Sequence, residues 1–510
     1  MKLISFLKKI KKEYLIIGTF ILFLIILRTP SLFEPHWYSD EGLFASAANM
    51  LRNGKYLYKD VYTNYAPGIF FVYYLSSFAN NLLLLSAKLA SLLASIFSVI
   101  LIYKITKSLF SRKIAVISSV FSSILLGLPL IDANIANPEN FTLLFTLLGI
   151  FLTLKKTKKK YFLSGLSFGI SILFAKSSIF DFLVIITYLI LIGFKNDQKV
   201  KLIKNLSKII FGFLIPSLII TIFFANIGIL NDFQILVLNY YISNIFKSFN
   251  NSLGFIFLDN NIYIRTILLI ISTIFSIHLS TKKKITKSKL FLVLWTIFIS
   301  YSILLPQKSY SHFLLQAVPI FSINTALLAA TIFQESNTKI KVYRFLTYIF
   351  TIFFVLNLFS HGNKITSNIN CTKYYSNFIQ YLSGKIDTNL YVKFFKQHTY
   401  QTYRLNSYIA QNYPNEKLIY IWTNNPWIYQ IADLEAPTKY LLSYQAESNF
   451  ENVKIDLESK QPELIIISDN SQESEQLETF LENNYYIPDT KFEGHEIFIL
   501  NKPEQSQIQD

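Results

Sequence analysis

Eleven apolar runs, long enough as helices to cross a hydrocarbon core of roughly 30 Å, constrain this chain more than any motif does. Only 15% of its 510 residues are charged, whereas soluble proteins carry about 25%. We therefore predict a polytopic α-helical membrane protein. The predicted spans are residues 14–29, 83–105, 113–129, 140–154, 161–176, 179–194, 206–227, 262–280, 289–306, 313–333 and 343–361.

Lysine placement predicts the topology of these spans. Cytoplasmic loops are enriched in Lys and Arg, and two spans fit between each pair of neighbouring basic clusters. This puts the N-terminus in the cytoplasm of a multi-pass plasma-membrane protein and everything after about residue 362 outside. The segment 67–79 would break the alternation as a span, so we interpret it as an interfacial or re-entrant helix. The basic clusters are residues 8–13, 107–113, 155–160, 195–204, 281–289 and 339–344.

The net charge of +17 is therefore mainly a topology signal. The lysines lie in short loops between spans and form no single groove-matching face, so we predict no nucleic-acid partner. Membrane lipids surround the chain. The outer loops are long and chemically varied while the inner loops are short and basic, which indicates that function lies on the outer face.

The composition changes near residue 362, which divides the chain into two predicted domains. Residues 1–361 form the membrane domain, with a first outer loop at 30–82, and residues 362–510 form a soluble extracytoplasmic domain. Apolar runs at 417–422, 463–468 and 495–500 alternate with helix-like stretches at 403–413 and 474–484. This alternation predicts a small α/β domain with a partly parallel sheet. We interpret it as an accessory or acceptor-docking domain without chemistry of its own.

Adjacent carboxylates in the first outer loop, Asp40 and Glu41, are the first candidate for chemistry. One interpretation is a solvated pair that favours the positive end of the helix beginning near Gly42. The alternative follows from their position close to a span end, where a carboxylate can take a proton from an acceptor while a lipid-borne substrate arrives from the bilayer.

Several cations share this outer face. Near a helix end a lone lysine often extends its ammonium to the interface. As a group, however, these cations can neutralise a phosphate at headgroup depth. Lys88 and Lys176 fall within otherwise apolar helices and are the better candidates, with Arg52, Lys308 and His312 beside them.

A second acidic position lies in "LIDANIANPENF", residues 130–141. Pro138 suits a first helical turn and Glu139 would begin the fourth span, so one interpretation is an acid at a helix start. The alternative is that Glu139 or Asp132 supplies a second active-site carboxylate facing Asp40.

Four motifs on the outer face resemble those of the GT-C membrane glycosyltransferases, in particular glycosyltransferase family 39, which includes protein mannosyltransferases and bacterial aminoarabinose transferases. They are "DEG" (40–42), "YKDVYTNYAPG" (58–68), "GLSFGISILFAK" (165–176) and "SYSHFLLQAVPIF" (309–321). The second departs from the family pattern at Asn64 and Ala66, and the fourth has Phe313 in place of a Tyr. The tail, with "PELIIIS" (462–468), is similar to tails of bacterial relatives.

The resemblance implies inverting sugar transfer from a polyprenyl-phosphate donor to a protein, lipid or glycan acceptor. It implies Asp40 as catalytic base with Glu41 beside it, Glu139 at the second acidic position, and Lys88, Lys176 and His312 on the lipid phosphate. The first loop would shape the donor pocket through Tyr58, Asp60, Pro67 and Gly68.

The leaving group is already a lipid monophosphate, so we predict no obligatory cofactor and no metal. A single cysteine, Cys371, excludes an internal disulfide framework and a cysteine-based metal cluster. A transporter or flippase for a lipid-linked or small polar substrate is the alternative function. It would be expected to carry midplane ionisable residues and repeats, yet the most interior acid, Asp181, lies near an outer helix end.

Overall fold

The computed structural model describes residues 12–155, 160–195, 199–239, 286–304, 310–332, 370–469, 471 and 473–501. Nine predicted spans lie in these ranges, apart from the last residues of 289–306 and 313–333, and the described part of each overlaps a helix. The other two, 262–280 and 343–361, lie outside the described residues, so the total of eleven stays a prediction. The membrane-part helices are Lys12–Arg28, Leu83–Leu109, Arg112–Gly127, Pro138–Leu154, Lys160–Ile172, Ile179–Lys195, Lys199–Asn226, Lys287–Leu304 and Val318–Ile332.

Five helical stretches of the described residues are long and apolar enough to cross a membrane: Glu13–Phe33, Asn80–Leu109, Lys176–Gly193, Lys199–Asn226 and Ser311–Ala330. Their buried faces share one apolar core that includes Leu24, Ile102 and Val184.

The segment after the first loop forms the helix Pro67–Ser77, of 11 residues. At 1.5 Å per residue it is about 17 Å long, roughly half the hydrocarbon thickness, so it cannot span a bilayer. Pro67 is at its first turn, and the Gly68 N–H donates to the Leu173 carbonyl at 2.7 Å. A Cβ on Gly68 would lie 2.7 Å from that carbonyl oxygen, which explains why glycine is needed here.

The outer loop also contains the helix Ser39–Arg52, hereafter the loop helix. Its apolar face, with Leu43 and Phe44, shares a second core with Ile69 and Phe70 of the short helix and with the C-terminal sheet. The loop is therefore packed between the membrane helices and the C-terminal region.

The C-terminal region is an α/β unit built on a four-stranded sheet of order β1-β2-β4-β3. Its strands are β1 (Ile419–Trp422), β2 (Leu464–Ser468), β3 (Tyr486–Phe492) and β4 (His495–Leu500), and its helices are Cys371–Leu382, Thr388–Phe395, Gln397–Asn412, Trp427–Ile431, Ser443–Glu447, Phe450–Lys460 and Glu475–Asn483. β1 and β2 are parallel, whereas β4 is antiparallel to both β2 and β3. The predicted partly parallel sheet is confirmed.

Alternate residues of the central strands point to opposite faces of this sheet. Ile419 and Ile421 belong to the core shared with the loop helix, while Tyr420 and Trp422 pack against the unit's own helices. One face of the sheet therefore packs against the first outer loop.

The Gly-x-x-x-Gly element packs two membrane helices at backbone distance. A Cβ on Gly165 would lie 2.0 Å from the Ile209 carbonyl oxygen, and one on Gly169 would lie 2.3 Å from that of Phe213. Small residues allow this close approach of helices in membranes. The contact fixes the helix that leads to Lys176.

We expect Gly165→Leu to lower the unfolding midpoint in detergent, because the added side chain meets backbone that cannot move aside. Overpacking of this kind costs about 1–3 kcal/mol or more. Gly18→Leu is the matched control, since nothing lies within 4 Å of a Cβ at Gly18. Equal midpoints for the two variants in thermal denaturation would contradict the close packing.

Candidate active site

A buried ion cluster anchors the first outer loop. The Lys88 ammonium contacts Glu34 Oε2 at 2.8 Å and Glu41 Oε1 at 3.1 Å, and all three side chains are at most 1% exposed. It also donates to the Asn134 carbonyl at 3.1 Å. All three of its N–H donors therefore have partners, and none remains for a phosphate.

The two carboxylates of this cluster are held by further donors. Glu34 accepts from Trp37 Nε1 at 3.0 Å, Asn134 Nδ2 at 2.7 Å and the Tyr374 hydroxyl at 2.5 Å. Glu41 accepts from the Ala136 N–H at 2.7 Å. The cluster thus joins the first loop, the second loop and the C-terminal unit.

Two sequence predictions are corrected by these contacts. Lys88 is the counter-ion of Glu34 and Glu41 rather than a phosphate ligand. Glu41, expected beside the base, is enclosed in the same cluster and has no access to a substrate. Burial raises the pKa of Glu41, and the adjacent Lys88 ammonium opposes that rise.

Arg52 is the third correction. It lies in the last turn of the loop helix, 12 residues from Asp40, which corresponds to about 18 Å of helix. Its guanidinium donates to the Ser77 carbonyl at 2.6 Å and stacks on Phe78 at 5.4 Å. Arg52 therefore caps the short helix and is remote from the base.

Asp40 points about 100° around the loop helix from Glu41 and remains partly exposed. The Tyr65 side chain lies beside its carboxylate. Burial raises the pKa of Asp40, the charge of His312 and the neighbouring Tyr65 hydroxyl oppose that rise, and the Asp132 carboxylate adds to it. Asp40 is accordingly a carboxylate with a stronger tendency to accept a proton than one in water.

The second acidic position lies beside Asp40. His312 has Nδ1 at 3.9 Å from Asp132 Oδ2 and Nε2 at 3.9 Å from Glu139 Oε1. Ser311 also donates a hydrogen bond to Asp132, whose backbone has φ +52°. The structure therefore brings together four predicted site residues, Asp40, Asp132, Glu139 and His312, from three separate parts of the chain.

Lys176 lies at the start of its helix, beside the first loop. Its ammonium donates to the Val237 carbonyl at 2.9 Å and approaches that of Asn64 at 3.5 Å. It is partly exposed, and Asn64, whose carbonyl it approaches, directly precedes Tyr65 in the chain. Lys308 lies outside the described residues.

The loop-shaping residues form local contacts. Tyr58 has φ +70°, donates its hydroxyl to the Tyr65 carbonyl at 3.0 Å and packs against Phe224 and Phe233. Asp60 accepts from the Tyr56 N–H at 2.6 Å. These contacts close the 58–65 turn that presents Tyr65 to Asp40.

Sequence analysis missed Glu34, Tyr65 and Lys396. Glu34 is an isolated acid that precedes a proline. Lys396 belongs to the C-terminal domain, which the sequence analysis interpreted as having no chemistry of its own. Tyr65 lies inside a motif that was assigned only to loop shape. A search for aromatic hydroxyls in the first loop would have found it.

We expect Lys88→Met to destabilise the fold strongly, because it leaves two buried carboxylates without their cation. Removing one partner of a buried ion pair costs about 3–5 kcal/mol. The measurement is the unfolding midpoint in detergent.

Lys107→Met, in the same helix, is the matched control for Lys88→Met. Its ion pair with Glu13 is 41% and 37% exposed, and such pairs contribute about 1 kcal/mol or less. A stable Lys88→Met protein that has lost only its affinity for a polyprenyl phosphate would restore the phosphate role of Lys88.

Comparison with known proteins gives a family match for part of the chain. Residues 67–225 match the family model described as dolichyl-phosphate-mannose-protein mannosyltransferase. No curated protein matches the chain.

Solved structures match over nearly the whole length. ArnT from Cupriavidus metallidurans in the apo state is 12% identical, with 95% of this chain and 97% of that chain covered and a TM-score of 0.54. The same protein bound to undecaprenyl phosphate is 13% identical, with 95% and 98% covered and a TM-score of 0.54. The Archaeoglobus fulgidus oligosaccharyltransferase tethered to an acceptor peptide is 11% identical, with 89% and 69% covered and a TM-score of 0.47.

At these identities, the likeness to ArnT demonstrates a shared fold. The predicted GT-C-like architecture is confirmed, as is the prediction of a membrane protein. Together with the family match, the fold supports a glycosyltransferase of the GT-C type.

Proposed function

We propose that this chain is an inverting glycosyltransferase that moves a sugar from a polyprenyl-phosphate donor to an acceptor on the extracytoplasmic face of the plasma membrane, with Asp40 as general base. The observation that carries the proposal is the partly exposed Asp40 carboxylate, which lies among Tyr65, His312, Asp132 and Glu139 while its neighbour Glu41 is sealed in an ion cluster. The shared fold with an undecaprenyl-phosphate-bound ArnT supports the donor class.

The donor phosphate is assigned to Lys176 and His312. Both side chains lie on the membrane-helix side of the site, at the outer ends of apolar helices where a lipid headgroup resides. The His312 imidazole lies 3.9 Å from a carboxylate on each side. Fixed donors and cations near the leaving oxygen stabilise the negative charge that develops on it.

The chemical step needs one base and one leaving group. Asp40 removes the proton from the acceptor hydroxyl or amine as the acceptor atom attacks the anomeric carbon. The bond from that carbon to the phosphate oxygen breaks, and its electron pair leaves with the polyprenyl phosphate. Attack from the face opposite the leaving group inverts the anomeric configuration. The step balances without a metal or another cofactor.

The topology and division of the chain are part of the proposal. The N-terminus is cytoplasmic, residues 1–361 form the catalytic membrane domain, and residues 362–510 form the extracytoplasmic domain. The acceptor is a protein, lipid or glycan, reached from the outer side. No nucleic acid is involved.

Transport receives no support from the most interior acid. Asp181 accepts from Trp295 Nε1 at 2.9 Å and from Gln316 Nε2 at 2.6 Å, and it is buried. Its carboxylate links its own helix to the helix Lys287–Leu304 and to the segment Ser311–Ala317, and both hydrogen bonds stabilise the packing of these elements.

We expect Asp40→Asn to lower kcat by about 10²–10⁴, the usual contribution of a general base, while binding of the donor lipid persists. The measurement is release of sugar from labelled polyprenyl-phosphate hexoses by purified protein, with undecaprenyl phosphate binding measured in parallel.

Asp433→Asn is the control for Asp40→Asn. Asp433 is an exposed acid of the C-terminal unit that pairs with Lys417, and its substitution should leave both rate and binding unchanged. Full turnover by Asp40→Asn would remove Asp40 as the base.

The pH dependence follows from the raised pKa of Asp40. The base works only when ionised, so kcat/KM should fall as the pH is lowered, and it should begin to fall above the ordinary range of an aspartate. We expect the acidic limb to have a midpoint above about 4. A rate that stays constant down to that pH would contradict a carboxylate base with a raised pKa.

A further inference from the structure

Lys396 of the C-terminal unit extends toward the catalytic loop. It lies between the helices Thr388–Phe395 and Gln397–Asn412, with extended backbone angles of φ −163° and ψ 143°. Its ammonium is 5.5 Å from the centre of the Trp37 ring. Trp37 is three residues before Asp40 in the chain, so Lys396 approaches the base from the side opposite the membrane helices.

The position of Lys396 is fixed by its neighbours. The Trp37 ring packs on Phe395 at 5.8 Å, and its Nε1 donates to the buried Glu34. Trp427 Nε1 donates to the Tyr38 carbonyl at 2.9 Å, which ties the same unit to the start of the loop helix. The backbone that carries Lys396 is therefore held against the first loop.

The Lys396 ammonium has no hydrogen-bond or ion-pair partner within 4.0 Å among the described residues, although it is partly buried. A desolvated cation without a partner is costly unless a negative charge lies near. Asp40 and Asp132 supply that charge, because both carboxylates raise the pKa of Lys396 against the effect of burial.

The balance of charge explains why a further cation is needed. Three carboxylates, Asp40, Asp132 and Glu139, face a single imidazole, His312. Such an excess of negative charge favours the protonated form of Asp40 and repels an anionic donor. A cation on the outer side of Asp40 offsets both effects.

We propose that Lys396 is a positioning residue of the active site, whose ammonium keeps the Asp40 carboxylate ionised and thereby makes the C-terminal domain part of the catalytic unit. The inference rests on the proposed function, since it acts through Asp40 as base. The C-terminal domain then supplies a positive charge to the active site, in addition to a docking surface for the acceptor.

The test is the pH profile of kcat/KM for sugar release by Lys396→Met. Removing the cation makes Asp40 harder to ionise, so the acidic limb should move to higher pH. We expect the rate to fall about threefold to tenfold below the midpoint and to approach the wild-type rate at high pH. Lys396→Arg retains the charge and should keep the wild-type profile.

Lys393→Met is the matched control. Lys393 lies three residues earlier, with its ammonium 4.1 Å from the centre of the Tyr400 ring, and its side chain is exposed. Its substitution should leave the profile unchanged. If Lys396→Met unfolds in detergent, Lys396→Gln replaces it, and the unfolding midpoint is measured for every variant.

Two outcomes would overturn the inference. An unshifted acidic limb for Lys396→Met would remove its action on Asp40, and an equal loss at every pH would reduce Lys396 to a structural contact. Failure of the proposed function is distinguished by Asp40→Asn. If that variant is inactive while Lys396→Met keeps the wild-type profile, only the inference about Lys396 fails.

Discussion

The ion pairs of Lys88 with Glu34 and Glu41 are the contacts on which the site depends. Taking three charges out of water is costly, so the cluster persists only because each charge also meets hydrogen-bond partners. Successive residues on a helix point about 100° apart. Because Glu41 is held in the cluster, the side chain of its neighbour Asp40 points away from the cluster. The position of Glu41 thus sets the orientation of Asp40.

The same cluster makes the C-terminal unit part of the loop's support. The Tyr374 hydroxyl reaches Glu34 from the first helix after the membrane part. A Cβ on Gly42 would lie 2.8 Å from the Trp427 ring. The glycine that follows the acidic pair therefore allows the C-terminal unit to pack directly on the loop helix. The C-terminal unit and the membrane helices both contact the first loop.

Local patterns predicted most of the fold. Long apolar runs predicted the nine described spans, and short apolar runs between helix-like stretches predicted β1, β2 and β4. β3 escaped because Pro488 and its exposed residues are atypical of a buried strand. The site was predictable only in part. Asp40, Glu139 and His312 lie in motifs, but the partners of Lys88 depend on contacts 54 and 47 residues apart in the chain. Such contacts are set by tertiary packing, which no local pattern records.

The contacts of five carboxylates near the first loop distinguish those that stabilise the fold from the one that can act as a base. Glu34 and Glu41 are buried and paired with Lys88, so a proton from a substrate cannot reach them. Asp132 and Glu139 each lie 3.9 Å from the imidazole of His312. Asp40 is partly exposed, has a raised pKa and has no ion pair within 4.0 Å among the described residues. Glu139 is also partly exposed, but it is paired with His312. A carboxylate can act as a base only if an acceptor can reach its lone pairs, and among these five Asp40 satisfies that condition best.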